Sequence, residues 1–389
     1  MVTWKKGENP FKYLFLFIFI VTVKGTEMRI FIMGMDGYIG WALAQYLKHE
    51  GHEVAGIDNG FRRGCVTLVG GQSITPIASL EEREIPRGNC ADFSLLREQI
   101  ANFSPDTVVC LSHQPSAPFS MRGPAESIQT HANNTSTVLA ALWAIRFECP
   151  EAHFLTIGSM GEYGTPACPI PEGAFMYAGE EMIFPRKPSS LYHSAKVAST
   201  YDVEACCRFW GLKATDVMQG VVYGLDHPGR TSWTRFDVDE YFGTAINRFC
   251  AQALIGMPLT VYGKGDQKRG FLPLKDSLQC LKLLIENPPN EGEYRCVNQL
   301  AQVYSLNELA GVIQKMSKFG VKIQNITNPR VEKEEHYYSP VVQKLPRLGY
   351  EPTVSLEDEV EGLLDVLTPM VSRIQEIRGT IKPRTNWRR

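Results

Sequence analysis

Short apolar segments alternate with longer amphipathic segments over the first half of this chain. Five runs rich in apolar and β-branched residues recur, at 29–34, 52–58, 106–112, 153–159 and 212–220. Stretches with helical periodicity lie between them, among them 38–50 and 127–147. Strands that are apolar without alternation are buried on both faces, as in a parallel sheet covered by helices on each side. We therefore predict an α/β fold with a doubly wound parallel sheet.

The pattern changes after Tyr223. Gly and Pro become frequent there and the predicted strands are short, which indicates a second and smaller lobe that binds substrate. We assign residues 28–220 to the main domain and residues 221–389 mainly to the smaller C-terminal lobe. The helical segment 241–257 is expected to return to the main domain.

The first predicted strand ends in a glycine-rich turn, GMDGYIG at 34–40, which opens a predicted helix. Gly34 permits the tight turn, Gly37 lets backbone N–H groups approach a pyrophosphate, and Gly40 lets helix and strand pack closely. Because a strand precedes the turn and Asp58 ends the second strand, the pattern predicts a dinucleotide site. The residues assigned to it in this region are Gly34, Gly37, Tyr38, Ile39, Gly40, Asp58 and Asn59.

Asp58 favours NAD over NADP as the cofactor. A carboxylate in this position accepts hydrogen bonds from the adenosine ribose hydroxyls and repels a 2′-phosphate. Arg62 and Arg63 weaken this preference, since a guanidinium can hold a 2′-phosphate. The alternative for these two arginines is a solvated loop. We expect NAD.

A second motif predicts redox chemistry. Tyr192 and Lys196 lie one helical turn apart in a Y-x-x-x-K pattern, so that their side chains share a face. An ammonium beside a phenol is expected to lower the pKa of Tyr192 and make it a usable base. Ser159 ends a predicted strand, on the edge of the sheet where such folds place their chemistry.

These motifs together resemble those of the extended short-chain dehydrogenase/reductases, and within them the UDP-sulfoquinovose synthase group. The resemblance extends from Met28 almost to the C-terminus. Its most specific segments are GSMGEYGTP at 158–166, TDVMQGVVYG at 215–224 and NPRVEKEEHYY at 328–338.

The resemblance implies an NAD-dependent cycle on a UDP-hexose such as UDP-glucose. Tyr192 would take the proton of the C4 hydroxyl while hydride leaves C4. Glu162 and His193 would then move the C5 proton and the departing C6 hydroxyl, and sulfite would add at C6. The simpler alternatives are that Glu162 caps a turn and that His193 is a packed helix residue. A homodimer is also expected.

Further site residues follow from the same resemblance. Gln219 and Val222 match positions beside the nicotinamide, and Asn134 matches a residue of a helix beside the cofactor. Asn89-Cys90 replaces the usual Asp-Ile pair near adenine. The residues expected to contact substrate are Ser159, Gln219, Thr260, Arg269 and Arg330, the two arginines on the UDP phosphates. The role of His336 is left open.

One loop departs from the resemblance. The group carries Gly-Glu-Gln-Arg-Ser-Ala-Pro after the strand at 106–112, whereas this chain has Pro115 in place of the Arg and His113 in place of the Glu. An altered sugar or nucleophile is one interpretation, and compensation by neighbouring groups is the other.

Two other functions compete with this hypothesis. A UDP-sugar 4-epimerase or 4,6-dehydratase is the nearer one, although dehydratases carry Asp-Glu where this chain has Met160-Gly161. A non-catalytic NAD-binding sensor is the other, but such proteins usually lose the Tyr or the Lys of the second motif.

Composition excludes several functional classes. The chain has 40 Lys plus Arg against 42 Asp plus Glu, so a nucleic-acid partner is not expected. Its ten cysteines form no C-x-x-C pair, which argues against a metal site and favours buried free thiols in a reducing compartment.

The first 27 residues form a separate segment. Lysines precede an apolar run at 13–23 that is short for a membrane span. This segment has three alternative interpretations: a dispensable leader or misassigned start, a signal or membrane anchor, and an integral strand or helix. Glycosylation of Asn133 or Asn134 would block the predicted cofactor site, so we expect the cytoplasm or a plastid-like interior and no stable membrane association.

Overall fold

The computed structural model describes residues 27–226, 233–333, 335–382 and 384–387. The expectations for residues 1–27 therefore lie almost wholly outside the described residues. Within those ranges, no helix is long and apolar enough to cross a membrane.

The main domain is built on a six-stranded sheet. Its strands are β1 (Arg29–Met33), β2 (Glu53–Ile57), β3 (Thr107–Cys110), β4 (His153–Ile157), β7 (Lys213–Gln219) and β11 (Tyr294–Gln299). Their neighbour order is β11-β7-β4-β3-β1-β2, and every neighbouring pair is parallel. The predicted doubly wound parallel sheet is confirmed.

Helices cover both faces of this sheet. The central strands β3 and β4 are buried at every position, because side chains of each face meet a helix layer. The helices of the main domain are α1 (Tyr38–His49), α2 (Phe61–Leu68), α3 (Phe93–Phe103), α4 (Ala117–Ser120), α5 (Pro124–Glu148), α6 (Leu191–Trp210) and α8 (Leu274–Glu286). Helices α3, α5 and α6 form one layer, and α1 with α8 forms the other.

Local sequence signals set the ends of these helices. Asp92 caps α3 by accepting the N–H of Leu95 at 3.2 Å, and Ser190 caps α6 by accepting the N–H of His193. Gly211 ends α6 with a positive φ of 71°, a conformation that favours glycine.

The smaller lobe has its own apolar core. The smaller lobe contains the helices α7 (Ala245–Leu254), α9 (Leu306–Met316), α11 (Leu356–Leu367) and α12 (Val371–Glu376). The short helix α10 (Lys344–Arg347) packs instead on the edge strand β11 of the main sheet. The strands of the smaller lobe are β8 (Val221–Tyr223), β9 (Leu259–Tyr262), β10 (Lys268–Pro273), β12 (Gln302–Ser305) and β13 (Ile323–Ile326). A hairpin of β5 (Ala174–Tyr177) and β6 (Glu180–Ile183) projects separately.

Residues 241–257 pack differently from our expectation that this segment returns to the main domain. Helix α7 starts at Ala245 and packs on α9, α11 and β9. Its buried residues Ile246, Phe249 and Ala253 belong to the core of the smaller lobe. The elements that do return are α8, α10 and β11, because their apolar residues join the core of the main domain.

Candidate active site

A cavity of about 1100 Å³ lies between the two lobes. The glycine-rich turn and the carboxyl ends of β3, β4 and β7 form one side of it, and β10 with residues 330–333 forms the other. Its volume exceeds that of an ordinary small-molecule pocket, so it has room for a dinucleotide and a second ligand.

The glycine-rich turn is too tight for side chains at two positions. Gly34 has a φ of +83°, and a Cβ added to it would lie 2.7 Å from backbone atoms of Leu111 and Ser112. A Cβ on Gly40 would overlap the carbonyl oxygen of Gly34. Helix α1 begins directly after Gly37, so its free N–H groups face the cavity and suit a phosphate.

Asp58 lines this cavity directly after the end of β2. Its carboxylate accepts the N–H of Asp36 at 3.0 Å and the N–H of Gly60 at 2.7 Å. Other residues assigned to the cofactor line the same cavity, namely Tyr38, Ile39, Asn59, Arg62, Asn89, Cys90, Gln219 and Val222.

The two arginines after Asp58 have protein partners. Arg62 donates to Asp237 at 2.7 Å, and Arg63 donates twice to Asp36 at 2.6 and 2.7 Å. Arg63 does not line the cavity. Its guanidinium instead holds Asp36 of the glycine-rich turn, so its place among the cofactor contacts stays a prediction.

Asn134 and Thr260 also lie behind the cavity wall. Asn134 is fully buried and bonds both backbone groups of Gln114, at 2.8 and 3.2 Å, so it shapes the loop after β3 without lining the cavity. Thr260 is fully buried and accepts a hydrogen bond from Gln252 at 2.8 Å. Neither side chain lines the cavity.

Ser159, Tyr192 and Lys196 come together at the centre of the cavity. The Ser159 hydroxyl lies within hydrogen-bond reach of the Tyr192 phenol. Lys196 lies one turn along α6, with its ammonium 5.9 Å from the centre of the Tyr192 ring, and donates to the carbonyl of Ile157. The structure therefore groups the three side chains as the motif predicted.

The pKa of Tyr192 is shifted in the direction opposite to the one that we predicted. Burial raises this pKa, the charge of Glu162 raises it further, and the hydrogen bond with Ser159 lowers it. Burial also lowers the pKa of Lys196 to about 8. The lowering of the Tyr192 pKa that we predicted from Lys196 is not found, because burial of the phenol dominates its pKa.

Glu162 lies beneath the site instead of in it. It is fully buried, does not line the cavity, and accepts the N–H of Ser159 at 2.8 Å. The Ser159 hydroxyl accepts the N–H of Gly161 at 3.1 Å, which completes a capping box on the short helix Met160–Glu162. The turn-capping alternative describes its geometry, and direct contact with a sugar C5 does not.

His193 does line the cavity. Its Nδ1 lies 2.8 Å from the Ser190 hydroxyl, and its ring lies over Gly161, where any Cβ would overlap it. Burial first, and then the charges of Arg330 and Arg269, lower the pKa of His193 to about 3. The imidazole of His193 is therefore neutral at physiological pH.

Arg269 and Arg330 reach the cavity from the smaller lobe. Arg269 forms an ion pair with Glu332 and lies 3.2 Å from Nε2 of His336. Arg330 lies 5.9 Å from the centre of the Tyr262 ring. Two guanidinium groups on the wall opposite α1 suit a second anionic ligand.

Sequence reasoning missed several lining residues. Glu332 lies in the segment 328–338, but nothing in the sequence signals its pairing with Arg269 across 63 positions. Arg248 also lines the cavity and donates to the Tyr262 hydroxyl at 2.6 Å. His113 was noted as a departure, and both of its buried ring nitrogens lack a partner among the described residues.

No cluster of His, Cys, Asp or Glu in the described ranges could hold a metal ion. All ten cysteines are free and eight are buried, as the sequence predicted.

Comparison with known proteins finds one family over most of the chain. The NAD dependent epimerase/dehydratase family matches residues 30–298. UDP-sulfoquinovose synthase of Sulfolobus acidocaldarius is 40% identical over 385 residues, covering 93% of this chain and 98% of that protein. The chloroplastic UDP-sulfoquinovose synthase of Spinacia oleracea is 38% identical over 384 residues, covering 93% and 79%.

Solved structures agree with the fold. UDP-glucuronic acid 4-epimerase from Bacillus cereus, in complex with UDP-glucuronic acid and NAD, superposes with a TM-score of 0.69 at 21% identity, over 88% of this chain and 100% of that one. UDP-glucose 4-epimerase from Thermotoga maritima, with UDP-glucose, gives a TM-score of 0.67 at 21% identity, over 91% and 100%.

Proposed function

This chain belongs to the NAD dependent epimerase/dehydratase family, and we propose that it is a UDP-sulfoquinovose synthase. It would convert UDP-glucose and sulfite into UDP-sulfoquinovose and water. The observation that carries this proposal is the 40% identity with such an enzyme over 93% of the chain, joined to a cavity that contains Ser159, Tyr192, Lys196 and His193.

The residues of the first lobe fit NAD. Gly34 and Gly40 leave the space that a pyrophosphate needs beside the N-terminus of α1. Asp58 offers its carboxylate to a ribose diol, and ion pairs with Asp36 and Asp237 neutralise the arginines that would otherwise attract a 2′-phosphate. When bound, NAD would supply the hydride acceptor and donor.

Arg269 and Arg330 would bind the phosphates of the UDP-sugar. A nucleotide sugar bound by them would have its hexose toward Tyr192, because the two arginines lie across the cavity from the glycine-rich turn. Glu332 now balances the charge of Arg269 and would have to share that cation with the ligand.

Tyr192 would accept the C4 hydroxyl proton as C4 is oxidised. Ser159 would donate to the same oxygen and orient it, and the ammonium of Lys196 would stabilise the phenolate. Because burial raises the pKa of the phenol, formation of the base depends on positive charge brought close to it.

His193 would serve the later steps. A C4 ketone acidifies the C5 proton, and a neutral imidazole that lines the cavity can take that proton and return it to the departing C6 hydroxyl. Glu162 has no direct part in this scheme, because it is buried under Ser159. Sulfite would add at C6, and the hydride would return to C4.

We also propose a homodimer in a reducing interior, the cytoplasm or a plastid-like compartment. Trp143 and Phe147 of α5 stack at 5.4 Å, and Trp143 meets Trp210 of α6 at 4.5 Å. Phe147 is 51% exposed and Phe209 is 63% exposed, so this face offers apolar area to a second copy. The buried free thiols support a reducing compartment.

A cofactor assay tests the proposal. The purified protein is loaded with NAD and mixed with UDP-glucose, UDP-galactose or UDP-glucuronic acid, without sulfite. We expect UDP-glucose to give the largest rise in reduced-cofactor absorbance, because the ketone intermediate accumulates. Absence of NAD binding and of any cofactor reduction would refute the proposed function.

A further inference from the structure

Two fully buried carboxyl groups lie directly behind Ser159. Glu162 follows β4, and Asp216 lies on β7 in register with Thr156 of β4. Their oxygens converge on Gly158, where an added Cβ would lie 2.6 Å from Asp216 Oδ1 and 3.0 Å from Glu162 Oε1. This residue must be small because the two carboxyl groups fill the space around it.

The hydrogen bonds of this pair require one more proton than the Thr200 hydroxyl supplies. The Thr200 hydroxyl lies 2.6 Å from Asp216 Oδ2 and 3.2 Å from Glu162 Oε2. A hydroxyl has one hydrogen and can donate to one of these oxygens only. The second contact is favourable only if the other carboxyl carries a proton and donates to Thr200.

The charges around the pair favour the same conclusion. Arg186 reaches Glu162 at a long 3.5 Å, and Asp216 Oδ1 has no hydrogen-bond partner among the described residues. Burial raises the pKa of both carboxyl groups, and the charge of Asp216 raises that of Glu162 further. The other titratable side chains that face the pair are Tyr163, Tyr192, Lys196, Tyr294 and Cys296.

The pair is joined to the chemistry through the backbone. Glu162 accepts the N–H of Ser159, and Lys196 donates to Ile157 two residues earlier. The segment 157–159 therefore connects the carboxyl pair with two of the three residues that would act at C4.

We propose that Glu162 and Asp216 are positioning residues that share one proton, with a combined charge of −1. The charged member keeps Lys196 ionised, and Glu162 holds Ser159 against the phenol of Tyr192. This inference rests on the proposed function only in its use of C4 oxidation as the readout.

Amide variants test the charge of the pair. In E162Q the amide can donate to Thr200 as the protonated carboxyl does, and Asp216 then keeps the negative charge. We expect E162Q and D216N each to lose less than tenfold in C4 oxidation rate and to keep the midpoints of the pH profile. The double variant loses the negative charge, so Tyr192 and Lys196 should both release their protons more readily. Both limbs of the pH profile of the C4 oxidation rate should therefore shift to lower pH by about one unit or more.

Two further variants separate positioning from packing. E162A removes the acceptor of the Ser159 N–H, so its rate should fall well below that of E162Q. E359Q is the control, because Glu359 is a buried glutamate of the smaller lobe that pairs with Lys275 at 2.8 Å. A double variant whose profile stays in place overturns the proposal, as do single variants that each give half of the double variant's shift.

Infrared spectroscopy tests the shared proton without substrate. The wild type at neutral pH should show the C=O stretch of a buried carboxylic acid, and this band should be absent from the double variant. Equal spectra would overturn the shared proton even if the enzyme is active. A protein that shows the band but does not oxidise UDP-glucose would refute the proposed function and leave the pair intact.

Discussion

Replacing Gly34 with Ala should separate cofactor binding from folding. An added Cβ would lie 2.7 Å from the carbonyl carbon of Leu111 and from Cα of Ser112. Ordinary carbon contacts are about 3.5 Å, so the turn and the loop after β3 must part by about 0.8 Å. The φ of +83° adds about 1–2 kcal/mol of strain.

This displacement moves the N-terminus of α1 away from the position of the pyrophosphate. Losing one charge-assisted hydrogen bond to the pyrophosphate costs about 1.5–3 kcal/mol, which predicts a loss of about 10- to 150-fold in NAD affinity for Gly34→Ala. The expected loss of folding stability is about 1–3 kcal/mol. Fluorescence titration with NAD and urea unfolding measure the two effects.

Gly64 provides a matched control. It lies inside α2 with no atom within 4 Å of an added Cβ and has no positive φ. Gly64→Ala should therefore raise stability by about 0.5–1 kcal/mol and leave NAD binding as in the wild type. Equal NAD affinity in Gly34→Ala and in the wild type would refute the assignment of this turn to the cofactor.

Three other changes have defined outcomes. Tyr192→Phe removes the proton acceptor and should slow cofactor reduction by UDP-glucose about 10²–10⁴-fold without changing the melting temperature; normal growth of absorbance would identify another base. His193→Ala should still reduce the cofactor but stop exchange of the C5 proton with deuterated water, and unchanged exchange would remove His193 from elimination. Asp239 has a pKa raised by burial from 3.8 to about 6, so its contribution destabilises the fold increasingly as pH rises from 4 to 6. Asp239→Asn should remove up to about 3 kcal/mol of that loss in urea titrations at pH 4 and pH 7, and an identical pH dependence in both proteins would contradict this.

The main domain was predictable because its signals are local. Apolar runs without alternation, a glycine-rich turn between β1 and α1, and the spacing of Tyr192 and Lys196 each act within a few residues. The carboxyl edge of a parallel sheet then brings Ser159 to the same place. These features do not depend on knowing how distant segments pack.

The features of the fold and the site that we did not predict depend on long-range contacts. Glu162 has the same local sequence whether it faces the cavity or the core, and its burial follows from packing against α6 and β7. The partner of Arg63 lies 27 positions earlier, and that of Arg269 lies 63 positions later. Helix α7 is amphipathic in either lobe, so only its contacts with α9 and α11 assign it to the smaller one.

Product analysis tests the central claim most directly. The NAD-loaded protein is incubated with UDP-glucose, with sulfite and without it, and the nucleotide products are identified by mass spectrometry. We predict UDP-sulfoquinovose only when sulfite is present, and its absence from the Tyr192→Phe protein. Formation of UDP-galactose with no sulfur-containing product would contradict the account and would identify the protein as a 4-epimerase.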